Sequence, residues 1–301
     1  MWPHNLQLRS NEHMIAISER LAEMGREMPV QETPCPACLE TRFSHAIVRN
    51  GFPVVRCKGC GSLYARLRPR EEYLPKIYQR FPQLSNGQEG QLTDDPEDAR
   101  KEADYRLRHL LQFARSGILL DLGCGRGDFL NLARGYFDAH GVDTAPRLRR
   151  DFETIDVFAG RLEDASFPDE SFNVVTAVEV LEHVFDLRKV FQEIHRILKP
   201  RGIFLFQIGD VDSLRARLNL KTWTYLQPPV HLNFLSRDAL RRLSEELGFE
   251  RLKSWSFGRA PAKIPFFGRV LRVEPLRFAL DLAARGGLIG EMYAWRKNEP
   301  T

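Results

Sequence analysis

Residues 118–130 constrain the fold of this 301-residue chain most, because a short apolar run there meets a glycine-rich turn. The run from Ile118 to Leu122 is typical of a buried parallel strand, and the apolar positions that follow the turn are typical of a first helical turn. Glycine permits a tight turn and leaves the backbone uncovered. The pattern predicts a ligand site at the carboxyl end of the strand, on Gly123, Gly125 and Gly127.

The glycine spacing argues against a dinucleotide as that ligand. A dinucleotide fingerprint reads G-x-G-x-x-G, whereas here Asp128 stands where the last glycine would be, and an acid would repel a pyrophosphate. The next predicted strand, about Ala139 to Asp143, ends in an acid. In a nucleoside-binding sheet such an acid accepts hydrogen bonds from ribose hydroxyls, which we favour for Asp143 over a helix cap. The D-x-G-x-G-x-G spacing from Asp121 resembles motif I of class I S-adenosylmethionine (SAM)-dependent methyltransferases.

Four of the five cysteines form two C-x2-C pairs separated by 18 residues. Two such pairs at this separation converge on one metal and complete a tetrahedral shell of four thiolates. A disulfide pair or reduced core thiols are the alternatives, and the expected cytoplasmic location argues against disulfides. The spacing predicts structural Zn²⁺, with no open position for catalysis, on Cys35, Cys38, Cys57 and Cys60.

Composition excludes few classes of protein. Hydrophobic residues make up 43% of the chain and charged residues 28%, as in an ordinary globular protein. We expect a cytoplasmic protein, because no run is long enough for a transmembrane helix and no apolar segment typical of a signal peptide follows the N-terminus. Nine Lys or Arg residues lie within 42–80. They predict a solvated face, or alternatively a patch for phosphate groups or RNA.

From Ile118 onward, strands and helices alternate, which predicts an α/β fold with a parallel sheet. The predicted fourth strand, Val174 to Val178, is followed by E-V-L-E-H-V. Glu182 and His183 there would deprotonate an acceptor or hold a divalent metal; alternatively, Glu182 caps a helix and His183 is a core residue. His231, in a later loop with aromatic neighbours, is a candidate second polar group or a packed loop residue.

The following helix, with Asp186 as its cap, is predicted to end at Pro200 and Gly202. Two further strands, Phe249 to Phe257 and Glu291 to Arg296, are predicted to complete the sheet, the last of them antiparallel.

Together these motifs resemble zinc-ribbon class I SAM-dependent methyltransferases, including E-V-L-E-H-V enzymes that act on small molecules. The resemblance implies a Rossmann-like seven-stranded sheet with a small N-terminal zinc ribbon. It implies a small-molecule acceptor, modified on oxygen or carbon, such as a sugar, polyketide or lipid-like intermediate. Sugar C-methyltransferases carry a tyrosine where this chain has Val180. The residues that the resemblance places against the cofactor are Asp121, Gly123, Gly125, Gly127, Asp143, Leu162, Glu163 and Glu179.

We expect an N-terminal arm or helix over 1–30, the ribbon over 31–80, a linker over 81–97 and the methyltransferase domain over 98–301. An inserted segment at 258–290, apolar and basic, predicts a cap over the acceptor site or a dimer contact, or alternatively a lipid-facing patch. Two other functions remain open. One is an RNA methyltransferase that uses the ribbon and the basic face, although the modest net charge disfavours nucleic acid; the other is a non-catalytic binding module.

Overall fold

The computed structural model describes residues 19, 21–23, 28–74, 76–77, 96–146, 148, 155–223, 225–257 and 290–299. The predicted N-terminal arm, the linker and residues 258–289 of the inserted segment lie largely or wholly outside these residues, so those expectations stay predictions. Among the described residues, no helix combines the length and the apolar character that crossing a membrane requires.

The strands follow each other along the chain as β1 (Val30–Glu32), β2 (Phe43–Arg49), β3 (Phe52–Cys57), β4 (Leu63–Ala65), β5 (Leu67–Pro69), β6 (Ile118–Leu122), β7 (Asp138–Asp143), β8 (Asp156–Ala159), β9 (Phe172–Val178), β10 (Leu198–Gly209), β11 (Asn233–Phe234), β12 (Phe249–Phe257) and β13 (Gly290–Lys297). The α-helices are α1 (Pro96–Leu110), α2 (Asp128–Ala133), α3 (Leu187–Ile197), α4 (Leu214–Leu218) and α5 (Arg237–Glu246).

A seven-stranded sheet with the order β12-β13-β10-β9-β6-β7-β8 confirms the predicted α/β fold. The strands β10, β9, β6, β7 and β8 pair in parallel, whereas β13 is antiparallel to both of its neighbours, as predicted. The central strands are buried along most of their length, which is why their sequences are nearly continuous apolar runs. The parallel arrangement brings the carboxyl ends of β6, β7 and β9 to one edge of the sheet.

Helix α3 shows how capping and packing fix the elements behind this edge. The Asp186 carboxylate accepts a hydrogen bond from the backbone N–H of Lys189 at 3.1 Å and so caps the helix, as predicted. The helix ends at Ile197, earlier than the predicted stop at Pro200, because Leu198 is already extended and pairs with Phe172 of β9. Its apolar face is buried in the core through Leu187, Val190, Phe191, Ile194 and Ile197.

The cysteine-containing segment forms a second sheet with the order β11-β4-β3-β2. Strand β11 follows β10 and α4 along the chain. It pairs antiparallel with β4, with Asn233 opposite Tyr64 and Phe234 opposite Leu63. Ribbon residues such as Tyr64 lie in the same buried apolar cluster as Phe191 of α3. The later part of the chain therefore adds β11 to the ribbon's sheet, and the ribbon and the large sheet share an apolar core.

Candidate functional site

The glycine loop between β6 and α2 has the uncovered backbone that its sequence predicts. Gly123, Gly125 and Gly127 have φ angles of +73°, +53° and +79°, a region that other residues rarely adopt. A Cβ on Gly123 would lie 2.3 Å from the Val180 side chain, whereas a Cβ on Gly125 would meet no atom within 4 Å. The loop therefore packs on one side against the segment after β9 and leaves open space at Gly125 on the other.

Asp143, at the end of β7, faces this loop. Its carboxylate accepts hydrogen bonds from the backbone N–H of Gly125 at 2.9 Å and from that of Ala145 at 2.8 Å. Asp121 lies below the loop in β6 and is only 3% exposed. It accepts a hydrogen bond from the Thr176 hydroxyl at 2.6 Å, and burial raises its pKa to about 6. Asp143 is thus bonded to the loop itself, whereas Asp121 is buried beneath it, and contacts of either acid with a cofactor stay predictions.

The segment with Leu162 and Glu163, which the resemblance places against the cofactor, follows β8 at the same edge of the sheet. A 3-10 turn spans Leu162–Asp164, with Leu162 buried. Arg161 donates a hydrogen bond to Asp164 at 2.9 Å and pairs with Glu71. Those two acids hold the Arg161 side chain. Contacts of Leu162 and Glu163 with a cofactor stay predictions.

The segment after β9 begins with Glu179 in the left-handed region, at φ +57°. This conformation is costly for a residue with a side chain, and such residues cluster at functional sites. The amide of Gln207, near the end of β10, donates a hydrogen bond to the Glu179 carboxylate. The other amide atom of Gln207, its Oε1, is buried with no hydrogen-bond partner among the described residues. Glu179 therefore stands at the edge where β9 and β10 end.

Three predicted residues come together beyond Glu179. One nitrogen or oxygen atom from each of Glu182, His183 and His231 lies within 4.8 Å of the others. The Nε2 of His183 is 4.0 Å from a carboxylate oxygen of Glu182, and the two imidazole rings meet edge to face with their centroids 4.7 Å apart. His231 therefore lies beside His183, and whether it acts as a second polar group or is a packed loop residue stays a prediction.

Each imidazole is oriented by a backbone carbonyl. The Nδ1 of His183 lies 3.0 Å from the carbonyl oxygen of Val230, and the Nδ1 of His231 lies 2.6 Å from that of Tyr225. A carbonyl oxygen only accepts hydrogen bonds, so Nδ1 carries a proton in both rings. Both imidazole rings are therefore fixed in orientation by the backbone.

Burial sets the electrostatics of this cluster. The Glu182 side chain is 0% exposed, and burial raises its pKa to about 7. Burial lowers the pKa of His183, and burial together with the neighbouring His183 lowers that of His231 to about 3. The Tyr225 hydroxyl lies near the Glu182 carboxylate without hydrogen-bond geometry, and both groups lack partners among the described residues. At neutral pH, both imidazoles are neutral.

Two residues that sequence reasoning missed hold the cluster in place. Asn233, fully buried, donates hydrogen bonds from its amide to the carbonyls of Leu181 and Val184, at 3.0 and 2.8 Å. Arg68, from the ribbon, is 1% exposed and donates to the Phe185 carbonyl at 3.1 Å and to the Asn233 side chain at 3.4 Å. These contacts join the Glu182 segment to β11 and to the ribbon.

The four ribbon cysteines cluster as their spacing predicts, with one sulfur from each within 4.8 Å of the others. The Sγ atoms of Cys35 and Cys60 are 3.6 Å apart, and those of Cys38 and Cys57 are 3.5 Å apart. A disulfide requires about 2.05 Å, so these sulfurs are not bonded to each other. Four thiolates around one zinc ion at about 2.3 Å would lie about 3.8 Å apart, close to the observed separations.

Three of the nine basic residues of 42–80 are paired or buried. Arg42 pairs with Glu40 at 2.6 Å, and Arg66 pairs with Glu32 at 2.5 Å. Arg68 is buried among carbonyl groups, as described above. Paired and buried cations contribute little to phosphate binding, which weakens the alternative of a nucleic-acid patch.

Comparison with known proteins places the chain in a family. A family model described as a methyltransferase domain matches residues 97–254, more than half of the chain. A protein of Mycolicibacterium smegmatis described as a probable SAM-dependent methyltransferase is 31% identical over 140 residues, which are 44% of this chain and 51% of that protein.

Other relatives carry more specific names. A sterol 24-C-methyltransferase of Aspergillus fumigatus is 31% identical over 185 residues, which cover 54% of this chain and 48% of that protein. A malonyl-[acyl-carrier protein] O-methyltransferase of Yersinia pestis is 26% identical over 156 residues, with 46% and 54% covered. The chain spans about half the length of each of these three relatives.

Solved structures show the same fold. A SAM-dependent methyltransferase of Thermotoga maritima matches with a TM-score of 0.51 and 18% identity, over 75% of this chain and 100% of that one. The PH0226 protein of Pyrococcus horikoshii matches with a TM-score of 0.50 and 20% identity, over 74% and 99%. At these identities the likeness concerns the fold alone.

Proposed function

Because the chain belongs to the family of SAM-dependent methyltransferases, we propose that it methylates a small-molecule acceptor on oxygen or carbon. One observation carries this proposal: Val180, two residues before Glu182 of the Glu182–His183–His231 cluster, packs against Gly123 of the glycine loop at the carboxyl edge of the sheet. Open α/β sheets bind ligands at this edge. A cofactor on the loop and an acceptor at the cluster would therefore meet there.

The cofactor site is assigned to the loop and the acid that faces it. The open space at Gly125 is where a flat ligand would approach the bare backbone. Asp143 would exchange its hydrogen bonds with Gly125 and Ala145 for bonds to the ribose hydroxyls. Leu162 and Glu163 would line the adenine ring, and Glu179 would approach the methionine part of the cofactor. SAM supplies a methyl group on a positively charged sulfur, which leaves as a neutral thioether.

The cluster would prepare the acceptor. Methyl transfer is an in-line displacement, so the protein must align the acceptor's attacking atom and remove its proton where that atom is not already nucleophilic. His183 would take that proton, with Glu182 beside it. A divalent ion held by Glu182 and His183 is the other means of lowering the acceptor's pKa.

The named relatives support acceptors of the proposed class. Two of them are named for a sterol carbon and for the oxygen of a malonyl group, so both kinds of attack occur among similar proteins. The Oε1 of Gln207 and the hydroxyl of Tyr225 have no hydrogen-bond partner among the described residues, which favours an acceptor with polar groups of its own, because an unpaired buried polar group is costly.

The four ribbon cysteines are proposed to hold one structural zinc ion. The sulfur separations of 3.5 and 3.6 Å support this, since they are near those of a tetrahedral thiolate site. All four positions are thiolates, so the ion would stabilise the ribbon and take no part in the transfer.

Labelled SAM tests the proposal. The protein would be incubated with methyl-labelled SAM and either a low-molecular-mass metabolite fraction or total RNA. We expect label in the small-molecule fraction, and a ~10²–10⁴-fold lower rate for His183→Ala, the usual contribution of proton transfer in catalysis. Label in RNA alone would overturn the small-molecule acceptor. Cofactor binding with no transfer to either fraction would support a non-catalytic module.

A further inference from the structure

We propose that a strap of the ribbon closes over the cofactor site, and that the ion pair between Glu71 and Arg161 is the latch that holds the strap closed. The strap is residues 67–74, which comprise β5, the 3-10 turn Glu71–Tyr73 and the residues that flank this turn. The inference rests on the proposed function in one respect, which is the position of the cofactor at the edge where β6 and β7 end. The strap acts on the exchange of the cofactor rather than on the transfer step.

Both ends of the strap are fixed to segments that are proposed to hold the acceptor. Near its start, Arg68 is 1% exposed and donates a hydrogen bond at 3.1 Å to the carbonyl of Phe185, in the segment after β9. At its end, Leu74 is buried in an apolar cluster with Val230 and Leu232, in the loop before β11. Buried contacts of both kinds are costly to break. The strap therefore begins and ends on the same side of the cofactor site.

The middle of the strap reaches the other side of that site. Glu71, the first residue of the 3-10 turn, forms an ion pair with Arg161. Arg161 directly precedes the turn Leu162–Asp164 that follows β8, and its guanidinium also donates hydrogen bonds to the Asp164 carboxylate at 2.9 and 3.1 Å. Since this turn is proposed to line the adenine ring, Glu71 connects the strap to the adenine end of the cofactor site.

The order of the strands places the cofactor site between these two contacts. In the sheet, β6 and β7 lie between β9 and β8, and neighbours among these strands pair in parallel. Neighbouring strands are ~4.8 Å apart, so the segments after β9 and after β8 are separated by ~14 Å. From Arg68 to Glu71 the backbone covers at most ~10 Å, and the long side chains at both contacts cover the rest. A strap that contacts both segments therefore crosses the edge where the glycine loop and Asp143 lie.

The contact at Glu71 is the weakest attachment of the strap. The side chains of Glu71 and Arg161 are each 44% exposed, and exposed ion pairs contribute little to stability. The turn Glu71–Tyr73 contains no buried residue, so it can move while exposing little additional apolar surface to water. When the pair opens, Arg161 keeps its hydrogen bonds to Asp164, and water solvates the Glu71 carboxylate. The strap should therefore open at this turn while its buried ends stay in place.

The dissociation rate of S-adenosylhomocysteine, the demethylated form of the cofactor, tests the latch on the full chain. The tritium-labelled compound would be bound to the protein and then chased with an excess of the unlabelled compound. We expect Glu71→Ala to release the label ~2–5-fold faster than the wild type, the range expected for the loss of an exposed ion pair. Glu71→Arg should release it faster still, because Arg161 would repel the new cation.

Two controls show whether the effect passes through this pair. In an Arg161→Ala background the pair is already absent, so Glu71→Ala should have no further effect on the rate. Glu250→Ala is the matched control, because Glu250 is solvent-exposed and pairs with Arg296 at 3.1 Å between β12 and β13, at the opposite end of the sheet from β8. Its loss should leave the dissociation rate unchanged.

The outcomes separate this proposal from the proposed function. Equal dissociation rates for the wild type, Glu71→Ala and Glu71→Arg would overturn the strap and leave the cofactor site in place. An effect of Glu71→Ala that persists in full in the Arg161→Ala background would overturn the latch. The unfolding midpoint of Glu71→Ala should equal that of the wild type, since the turn has no buried residue; a lower midpoint would assign the faster release to lost structure and overturn the latch. A wild type that does not bind the compound would contradict the proposed function, and the strap with it.

Discussion

Replacing Asn233 with alanine should destabilise the protein more than a typical asparagine substitution. Its amide donates to the carbonyls of Leu181 and Val184 at 3.0 and 2.8 Å, on either side of Glu182 and His183. With alanine at this position, both buried carbonyl oxygens would lose this hydrogen-bond donor. Since each carbonyl that loses its donor costs ~1–3 kcal/mol, we expect the free energy of unfolding to fall by ~3 kcal/mol.

Urea unfolding with linear extrapolation measures this loss. Asn219→Ala is the matched control, because the Asn219 side chain lies on an exposed turn, where it accepts a hydrogen bond from the N–H of Lys221 at 2.9 Å. We expect the control to lose at most ~1 kcal/mol. If Asn233→Ala lies within ~0.5 kcal/mol of the control, the amide does not hold the Glu182 segment as the structure indicates.

Three further predictions concern other parts of the molecule. Elemental analysis should find one zinc per chain at the cysteine cluster, and Cys57→Ser should lose it; a freshly reduced sample without zinc contradicts the assignment. Because β4 of the ribbon pairs with β11, the same variant should also slow methyl transfer, and an unchanged rate would show that the ribbon does not support the acceptor side. Asp121 has a pKa of about 6 in the folded protein against an ordinary 3.8, so the stability that its protonated carboxyl contributes is full below pH 3.8 and is lost as pH rises through 6. Relative to Asp121→Asn, the free energy of unfolding of the wild type should therefore fall by ~3 kcal/mol between pH 4 and 7. A constant difference between the two proteins over this range would refute the pKa shift.

The sequence predicted the sheet to within about two residues at most strand ends, because its strands are apolar runs with clear breaks. The antiparallel last strand was also predicted and is confirmed. The end of α3 was predicted three residues too late at Pro200, because pairing of Leu198 with Phe172 ends the helix before the proline does. Strand pairing is a tertiary contact that no local pattern reveals.

The site was predictable where its chemistry lies in local motifs. The glycine loop, Asp143, the cysteine pairs and the Glu182–His183 pair each follow from spacing along the chain. Asn233 and Arg68 carry no such signal, because the hydrogen bond between them joins residues 165 positions apart. The contact between the ribbon and the segment with Glu182 could not be predicted from the sequence for the same reason, because a strand of two residues, β11, provides it.

Calorimetric titration with S-adenosylhomocysteine, the neutral product of the cofactor, tests the central claim most directly. The account predicts saturable binding to the wild type and binding weaker by ~1–3 kcal/mol for Asp143→Ala, the range for hydrogen bonds to a charged group. Both would follow from the position of Asp143 beside the loop at Gly125. No heat from the wild type at millimolar ligand, or equal affinity for the variant, would contradict the assignment of this edge of the sheet as the cofactor site.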